Sequence, residues 1–178
     1  MQRTPPPPSD TLLVTSRFHV VRVARHLPDG TIKHREVVRH PGAVTILPLV
    51  APAHVCLIRN FRVAVNQRLI ELPAGTLEAG EDPRQTAARE LQEETGFRAG
   101  RLEPLHTFYL SPGILDERMH LFLATELTPG PAARERGEEI ENLVTPWEEA
   151  LRMVQDGGIQ DAKTIVGLLY YDRLRRVL

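Results

Sequence analysis

Short apolar runs separated by turn residues make up the N-terminal part of the chain. Residues 12–23, "LLVTSRFHVVRV", are rich in β-branched side chains, which favour extended structure. The tetrapeptide "LPDG" at 27–30 has the residue types of a tight turn, and a second extended run ends in "REVVRH" at 35–40. We therefore predict two N-terminal strands joined by a hairpin, within a segment that spans residues 11–40.

The next apolar runs have the pattern of a larger sheet. "AVTILPLV" at 43–50 and "HVCLIRNFRV" at 54–63 are short and mostly apolar, which is typical of strands buried on both faces. "QRLIELPAG" at 67–75 predicts a further short strand that ends at Pro73 and Gly75.

The second half of the chain alternates predicted strands, loops and helices. We expect strands at "LHTFYL" and "RMHLFLATEL" around the loop "SPGILDE", then a mobile loop "TPGPAARERGEE" and a last strand "IENLVT". Two helices follow, and Thr145, Pro146 and Glu148 have the spacing of a capping box at the start of the first. This order of elements predicts an α/β or α+β fold, with helices covering a mixed sheet.

Length, charge and cysteine content narrow the class of protein. At 178 residues the chain suits one domain, and 22 basic against 23 acidic residues argue against nucleic acid or an anionic membrane as a partner. Residues 1–10 are expected to form a flexible Pro-rich tail, and we see no apolar run long enough to span a bilayer. Cys56 has no partner for an intrachain disulfide, so we expect a buried thiol in a cytoplasmic protein.

The candidate chemistry lies in a predicted helix. Asp82 and Pro83 have the residue types of a helix start, and Gly96 suits the position after the last turn. Within this helix three glutamates fall on one arc, because positions i, i+3 and i+4 are neighbours. They are Glu90, Glu93 and Glu94.

The glutamate arc is electrostatically unfavourable by itself. Each like-charge pair costs a few tenths of a kcal/mol in an exposed helix, and the helix C-terminus is the negative end of the dipole. A divalent cation would convert this repulsion into ligation, and a set of oxygen donors favours Mg²⁺ or Mn²⁺ over Zn²⁺. A solvated, glutamate-rich surface is the alternative interpretation of the same pattern.

Residues 75–97 resemble the signature of the Nudix hydrolases at every fixed position. The matching residues are Gly75, Glu81, Arg89, Glu90, Leu91, Glu93, Glu94, Gly96 and Phe97. The resemblance implies an α/β/α sandwich with a mixed central sheet over residues 41–178, which hydrolyses nucleoside diphosphates linked to another moiety. It also implies that Mg²⁺ or Mn²⁺ is held by the three arc glutamates and the backbone carbonyl of Ala74. Glu81 and Arg89 are expected to orient these ligands.

The flanking segments resemble the ADP-ribose pyrophosphatase branch of that family. The similarity implies that Arg62 contacts substrate phosphate, although Asn60 stands where the branch prefers Gln. Ser111, Pro112 and Gly113 would approach the substrate, or form a simple turn. Phe18 would stack on adenine, or belong to the core.

Other implications of the same resemblance concern the base, the assembly and the products. The general base that activates water would be Glu93 or a glutamate of the acidic loop. That loop glutamate, Glu138 or Glu139, would act as the base or as a further metal ligand. Exchange of the N-terminal strands would form a homodimer. The expected reaction converts ADP-ribose and water to AMP and ribose 5-phosphate, whereas the rivals are GDP-mannose, other nucleotide sugars, FAD or NAD-type dinucleotides, and a non-catalytic sensor of an ADP-ribose-like ligand.

Overall fold

In a computed structural model that describes residues 9–134 and 139–177, the chain forms ten strands and three helices. Their bounds are β1 (Ser9–Val14), β2 (His19–His26), β3 (Ile32–Arg39), β4 (Ala43–Ala51), β5 (His54–Arg62), β6 (Gln67–Glu71), β7 (Ala74–Thr76), α1 (Pro83–Thr95), β8 (Phe97–Tyr109), β9 (Arg118–Pro129), β10 (Glu141–Pro146), α2 (Trp147–Gln155) and α3 (Ala162–Arg175).

The N-terminal segment is an antiparallel sheet of order β1-β2-β3, with three strands instead of the two predicted. The predicted strand over residues 12–23 is interrupted at Thr15, whose hydroxyl oxygen accepts the N–H groups of Arg17 at 3.2 Å and Phe18 at 3.0 Å. This side-chain turn competes with the strand ladder, so the chain reverses there. The first strand begins at Ser9, inside the segment expected to be a tail, while residues 1–8 lie outside the described part.

The larger sheet is mixed, as predicted. Its main order is β10-β5-β4-β9-β8, with β6 paired to β5 and β7 paired to β4. The β4–β9 pair is parallel and the others are antiparallel.

Strand β4 is central because both of its faces are buried. Val44 and Ile46 pack with Leu91 of α1 in one apolar cluster, whereas Leu47 packs with residues of α2 and α3 in another. Side chains alternate between the faces of a strand, so one strand serves both layers. The result is the expected sandwich, with α1 on one face of the sheet and α2 and α3 on the other.

Helix α1 begins and ends at the predicted residues. Asp82 Oδ1 accepts the N–H of Arg84 at 2.8 Å, and Pro83 occupies the first turn. Gly96 has φ of 79°, and a Cβ atom there would lie 2.4 Å from the carbonyl oxygen of Gly130. Only glycine satisfies both the left-handed conformation and this close approach.

The predicted capping box of α2 is wrong. Thr145 belongs to β10, pairs with Val55 and is buried, and its hydroxyl donates to the carbonyl of Leu143 at 3.2 Å. Pro146 takes the N-cap position without a side-chain cap. Pairing with β5 therefore extends the strand through the residues that local pattern assigns to a helix start.

Two smaller expectations concern the thiol and the membrane. Cys56 is fully buried, and burial raises the pKa of its thiol to about 12. Within residues 9–134 and 139–177, no helix has the length and apolar content needed to cross a bilayer.

Candidate active site

One cleft of about 1040 Å³ contains most of the residues singled out in the sequence. It lies between the second half of α1, strands β5 and β7 with the loop after β7, and the turn that joins β1 to β2. Its lining residues are Thr15, Ser16, Arg17, Phe18, His19, Arg39, His40, Pro41, Asn60, Arg62, Ala74, Gly75, Thr76, Leu77, Glu78, Ala79, Arg89, Glu90, Glu93 and Glu94.

The three glutamates of the predicted arc all line this cleft, and they differ in accessibility. The Glu93 side chain is 32% exposed and that of Glu90 is 14% exposed, whereas Glu94 as a residue is only 4% exposed. The three glutamates therefore differ in solvent exposure, and Glu93 has the most accessible carboxylate.

Arg89 is the counter-charge within this cluster. Its Nη1 donates to Glu90 Oε1 and to Glu93 Oε2, both at 2.8 Å, while Nε and Nη2 each donate to Glu81 at 3.3 Å. The hydrogen bond from Arg89 is the main reason that the pKa of Glu81 falls to about 2. One planar guanidinium thus joins Glu81, which precedes α1, to Glu90 and Glu93 of the glutamate arc.

Glu94 and Glu90 pack directly on the strand β7. Glu94 Oε2 accepts the N–H of Ala74 at 2.9 Å, which attaches the helix to this strand. A Cβ atom on Gly75 would lie 1.9 Å from the carboxyl carbon of Glu90. Gly75 is therefore required for space, because the carboxylate of Glu90 occupies the volume that a side chain would fill.

The C-terminus of α1 is satisfied by protein groups, which the sequence analysis missed. Ala133 N–H donates to the carbonyl of Glu93 at 3.0 Å, and Arg134 Nε donates to the carbonyl of Glu94 at 3.0 Å. Asn142 Nδ2 donates to the carbonyl of Thr95 at 2.8 Å. The positive charge of Arg134 lies at the negative end of the dipole, so the glutamate arc is less destabilising than its charge alone indicates.

The donors suit a hard divalent ion in type, but their present arrangement is not a closed cage. Three carboxylates and a backbone carbonyl supply oxygen alone, the donor that Mg²⁺ and Mn²⁺ prefer. Among the described residues, no three His, Cys, Asp or Glu side chains converge as a ready-made metal site. Glu90 and Glu93 each accept a hydrogen bond from Arg89, and Glu94 accepts one from Ala74.

Basic and amide groups of β3 and β5 also line the cleft. Arg62 donates from Nε and Nη2 to the buried Glu71 at 2.7 and 2.6 Å, and its Nη1 makes no hydrogen bond to another of the described residues. Arg39 donates to Asp116 at 3.0 Å. Asn60 lies two residues before Arg62 on the same face of β5 and is 8% exposed.

The profile of the NUDIX domain matches residues 39–166. The chain belongs to the Nudix hydrolase family. It is 41% identical to the ADP-ribose pyrophosphatase of Bacillus subtilis (strain 168) over 146 residues, covering 81% of this chain and 79% of that protein. It is 39% identical to the GDP-mannose pyrophosphatase of Cronobacter sakazakii (strain ATCC BAA-894) over an alignment of 184 residues, covering 93% and 94%.

A solved structure described as an ADP compounds hydrolase has the same fold. The TM-score is 0.83 at 22% identity, and the match covers 99% of this chain and 98% of that chain. The protein is thus a Nudix enzyme in both sequence and fold, with its signature running from Gly75 in β7 through α1 to Phe97 at the start of β8.

The remaining residues predicted for the Nudix site lie in different places. Phe18 lines the main cleft and is partly buried. Pro112 and Gly113 line a second, smaller cleft of about 290 Å³, which also contains Arg39. Ser111 lines neither of these two clefts, and its carbonyl accepts the N–H of Leu115 at 2.8 Å.

The loop "SPGILDE" has a structural role that the sequence analysis missed. Asp116 Oδ1 accepts the backbone N–H of His40 at 2.9 Å, and Val38 N–H donates to the carbonyl of Ile114 at 2.8 Å. The loop therefore fixes the junction between the N-terminal sheet and the Nudix sheet.

The acidic loop provides no cleft residue in the described part of the chain. Glu139 pairs with Arg68 of β6 and does not line the main cleft. Glu138 lies outside the described residues. A role for either as the base stays a prediction.

Substitution of Gly75 by Ala tests the contact with Glu90. The added methyl group would displace the Glu90 carboxylate from β7, so we expect near-normal thermal stability and a loss of pyrophosphatase activity of at least about tenfold. Gly158→Ala is the matched control, because a Cβ there would be 3.5 Å from its nearest neighbour. Equal activity of both variants would show that the position of Glu90 does not depend on Gly75.

Proposed function

We propose that this Nudix enzyme hydrolyses the pyrophosphate bond of ADP-ribose, or of a similar nucleoside diphosphate sugar, with Mg²⁺ or Mn²⁺ as its cofactor. Water attacks one phosphorus atom, the bridging P–O bond breaks, and AMP and ribose 5-phosphate leave. The observation that carries the proposal is that one cleft is lined both by the glutamate arc and by Arg39 and Arg62.

Size and charge of the cleft agree with such a substrate. Its volume of about 1040 Å³ lies at the upper end of the range typical of small-molecule sites. A pyrophosphate is anionic, so we expect metal ions or arginine side chains to neutralise it. The cleft offers both arginines and oxygen donors for a cation.

Each group of residues that lines the cleft has a proposed task. Glu90, Glu94 and the carbonyl of Ala74 would hold the divalent ion, with Glu93 as a further ligand or as the base. When it is bound, the ion polarises the phosphate oxygens and lowers the pKa of water. Arg62 would bind a phosphate oxygen through its available Nη1. Phe18, from the N-terminal segment of the same chain, would stack on the adenine ring of the substrate.

Glu93 is the best-supported candidate for the base among the described glutamates. It has the most accessible side chain of the arc, and Arg89 holds one of its carboxylate oxygens at 2.8 Å. Glu139 is engaged with Arg68 outside the cleft. In this assignment Glu93 takes a proton from the attacking water.

GDP-mannose is the second candidate substrate. The GDP-mannose pyrophosphatase relative aligns with this chain over almost the full length of both proteins. Both candidates have the same pyrophosphate and differ in the base and the sugar, so the metal site does not discriminate between them. The choice must come from the wall formed by the N-terminal sheet.

A hydrolysis assay with Mg²⁺ or Mn²⁺ on ADP-ribose, GDP-mannose, NADH and FAD tests the proposal. We expect the highest kcat/KM for ADP-ribose, with AMP and ribose 5-phosphate as products. Glu94→Gln should lower turnover by about 10²-fold or more, because one charged ligand is lost, and leave the fold intact. Glu149→Gln, an exposed helix glutamate outside the cleft, is the control and should be fully active.

Two outcomes would contradict this assignment. Wild-type turnover by the Glu94→Gln variant would exclude Glu94 as a metal ligand. Binding of ADP-ribose without any metal-dependent hydrolysis would identify the chain as a sensor.

We also propose that the enzyme is a homodimer. Strand β1 is an edge strand whose residues are all exposed, including Leu12, Leu13 and Val14 at 46%, 51% and 63%. An exposed apolar edge strand is open to pairing with another chain. Static light scattering should give about twice the chain mass, and Leu13→Asp should reduce it to the monomer value; a wild-type monomer would exclude this assembly.

A further inference from the structure

Arg62 belongs to a network of four charged residues whose other three members are largely buried. We name it the Glu71 network; it consists of Arg62, Glu71, Asp161 and Lys163. Glu71 ends β6 and is 1% exposed, and both of its carboxylate oxygens accept from Arg62. Lys163 Nζ donates to Glu71 Oε2 and, at 2.9 Å, to Asp161 Oδ1.

The network links α3 to the cleft through side chains that are distant in sequence. Asp161 is the N-cap of α3, and its Oδ2 accepts the N–H and the hydroxyl of Thr164 at 3.0 and 2.6 Å. The hydroxyl oxygen of Thr164 in turn accepts the N–H of Leu72, next to Glu71, at 2.7 Å. The first turn of α3 is therefore fixed to the end of β6.

The charges of the network balance within a buried volume. Two cations face two carboxylates, and Lys163 is 6% exposed, although a lysine in the first turn of a helix opposes the helix dipole. Burial raises the pKa of Glu71, but the hydrogen bonds and charges of Arg62 and Lys163 outweigh it and lower the pKa overall. Glu71 thus stays ionised against Arg62.

Stability alone does not explain such a network. Buried ion pairs are often no more stabilising than apolar side chains of similar volume, because desolvation offsets the attraction between the charges. The most accessible member is Arg62, whose side chain is 41% exposed and lines the cleft. Its Nε and Nη2 are both taken by Glu71, so the direction in which Nη1 points is fixed.

We propose that Glu71 is a positioning residue, which, with its charge balanced by Lys163 of α3, fixes Arg62 so that Nη1 meets the substrate pyrophosphate. This inference rests on the proposed function, since it assigns a task to the Arg62 contact. It also predicts that the first turn of α3, outside the Nudix signature, contributes to substrate affinity.

A double-mutant cycle of Arg62→Ala and Glu71→Gln tests the inference. The dissociation constants of ADP-ribose and GDP-mannose are measured by calorimetry in EDTA, so that the result does not depend on hydrolysis. We expect Glu71→Gln to weaken binding about tenfold when Arg62 is present, the size of one lost charge-assisted hydrogen bond. In the Arg62→Ala background the same substitution should change the constant by less than about twofold.

The cycle separates positioning from a general structural role. A loss of affinity that is equal in both backgrounds would overturn the proposal, because Glu71 would then act without Arg62. Retained affinity in the Arg62→Ala variant would overturn it as well. Glu141→Gln is the matched control. Glu141 of β10 pairs at 2.9 Å with Arg59, which is in the same strand as Arg62, and neither Glu141 nor Arg59 lines the cleft. This variant should bind the nucleotides like the wild type.

A second variant covers the case in which Glu71→Gln does not fold. Glu71→Asp keeps the buried charge beside Lys163 but withdraws the carboxylate by one methylene group, so it should break the two-point contact with Arg62. We expect Glu71→Asp to weaken nucleotide binding when Arg62 is present and to have little effect in the Arg62→Ala background. Failure of the wild type to hydrolyse any nucleotide would count against the proposed function, whereas the calorimetric cycle decides the role of Glu71 independently.

Discussion

The arrangement of this molecule depends on the repulsion among Glu90, Glu93 and Glu94. A helix brings them to one side within about one turn, near the end where the dipole is already negative. Arg89 contacts two of them and Arg134 caps the helix end, so the folded chain tolerates the cluster. These contacts leave the carboxylates in the cleft, where further positive charge would stabilise them.

Strands β4 and β5 each belong to the central sheet and also help to form the surroundings of this glutamate cluster. Strand β4 separates the α1 layer from the α2 and α3 layer, and pairs with β7, where Ala74 contacts Glu94 and Gly75 gives space to Glu90. Strand β5 presents Asn60 and Arg62 to the cleft from the same sheet. The N-terminal sheet contributes residues 15–19 and Arg39 to the cleft lining and is held by Asp116. Acidic groups of α1 and basic groups of β3 and β5 therefore line a single cleft.

Sequence reasoning succeeded where the determinants are local. Asp82, Pro83 and Gly96 specify α1 by caps, and helical spacing then places the glutamates on one arc. Sequence reasoning failed where strand pairing, or contacts between residues far apart in the sequence, determine the structure. Pairing with β5 overrides the capping pattern at Thr145. Lys163 and Glu71 are 92 residues apart, and Arg134 lies 40 residues after Glu94, so no local pattern announces either contact.

Binding of Mn²⁺, followed by the electron paramagnetic resonance signal of the free ion, tests the central claim that the glutamate arc is a divalent-cation site. The wild-type protein should remove the free-ion signal in a saturable manner. The triple variant Glu90→Gln, Glu93→Gln, Glu94→Gln should leave the signal close to that of buffer, because three of the four proposed ligands lose their charge. Equal uptake of Mn²⁺ by the folded triple variant would contradict the account.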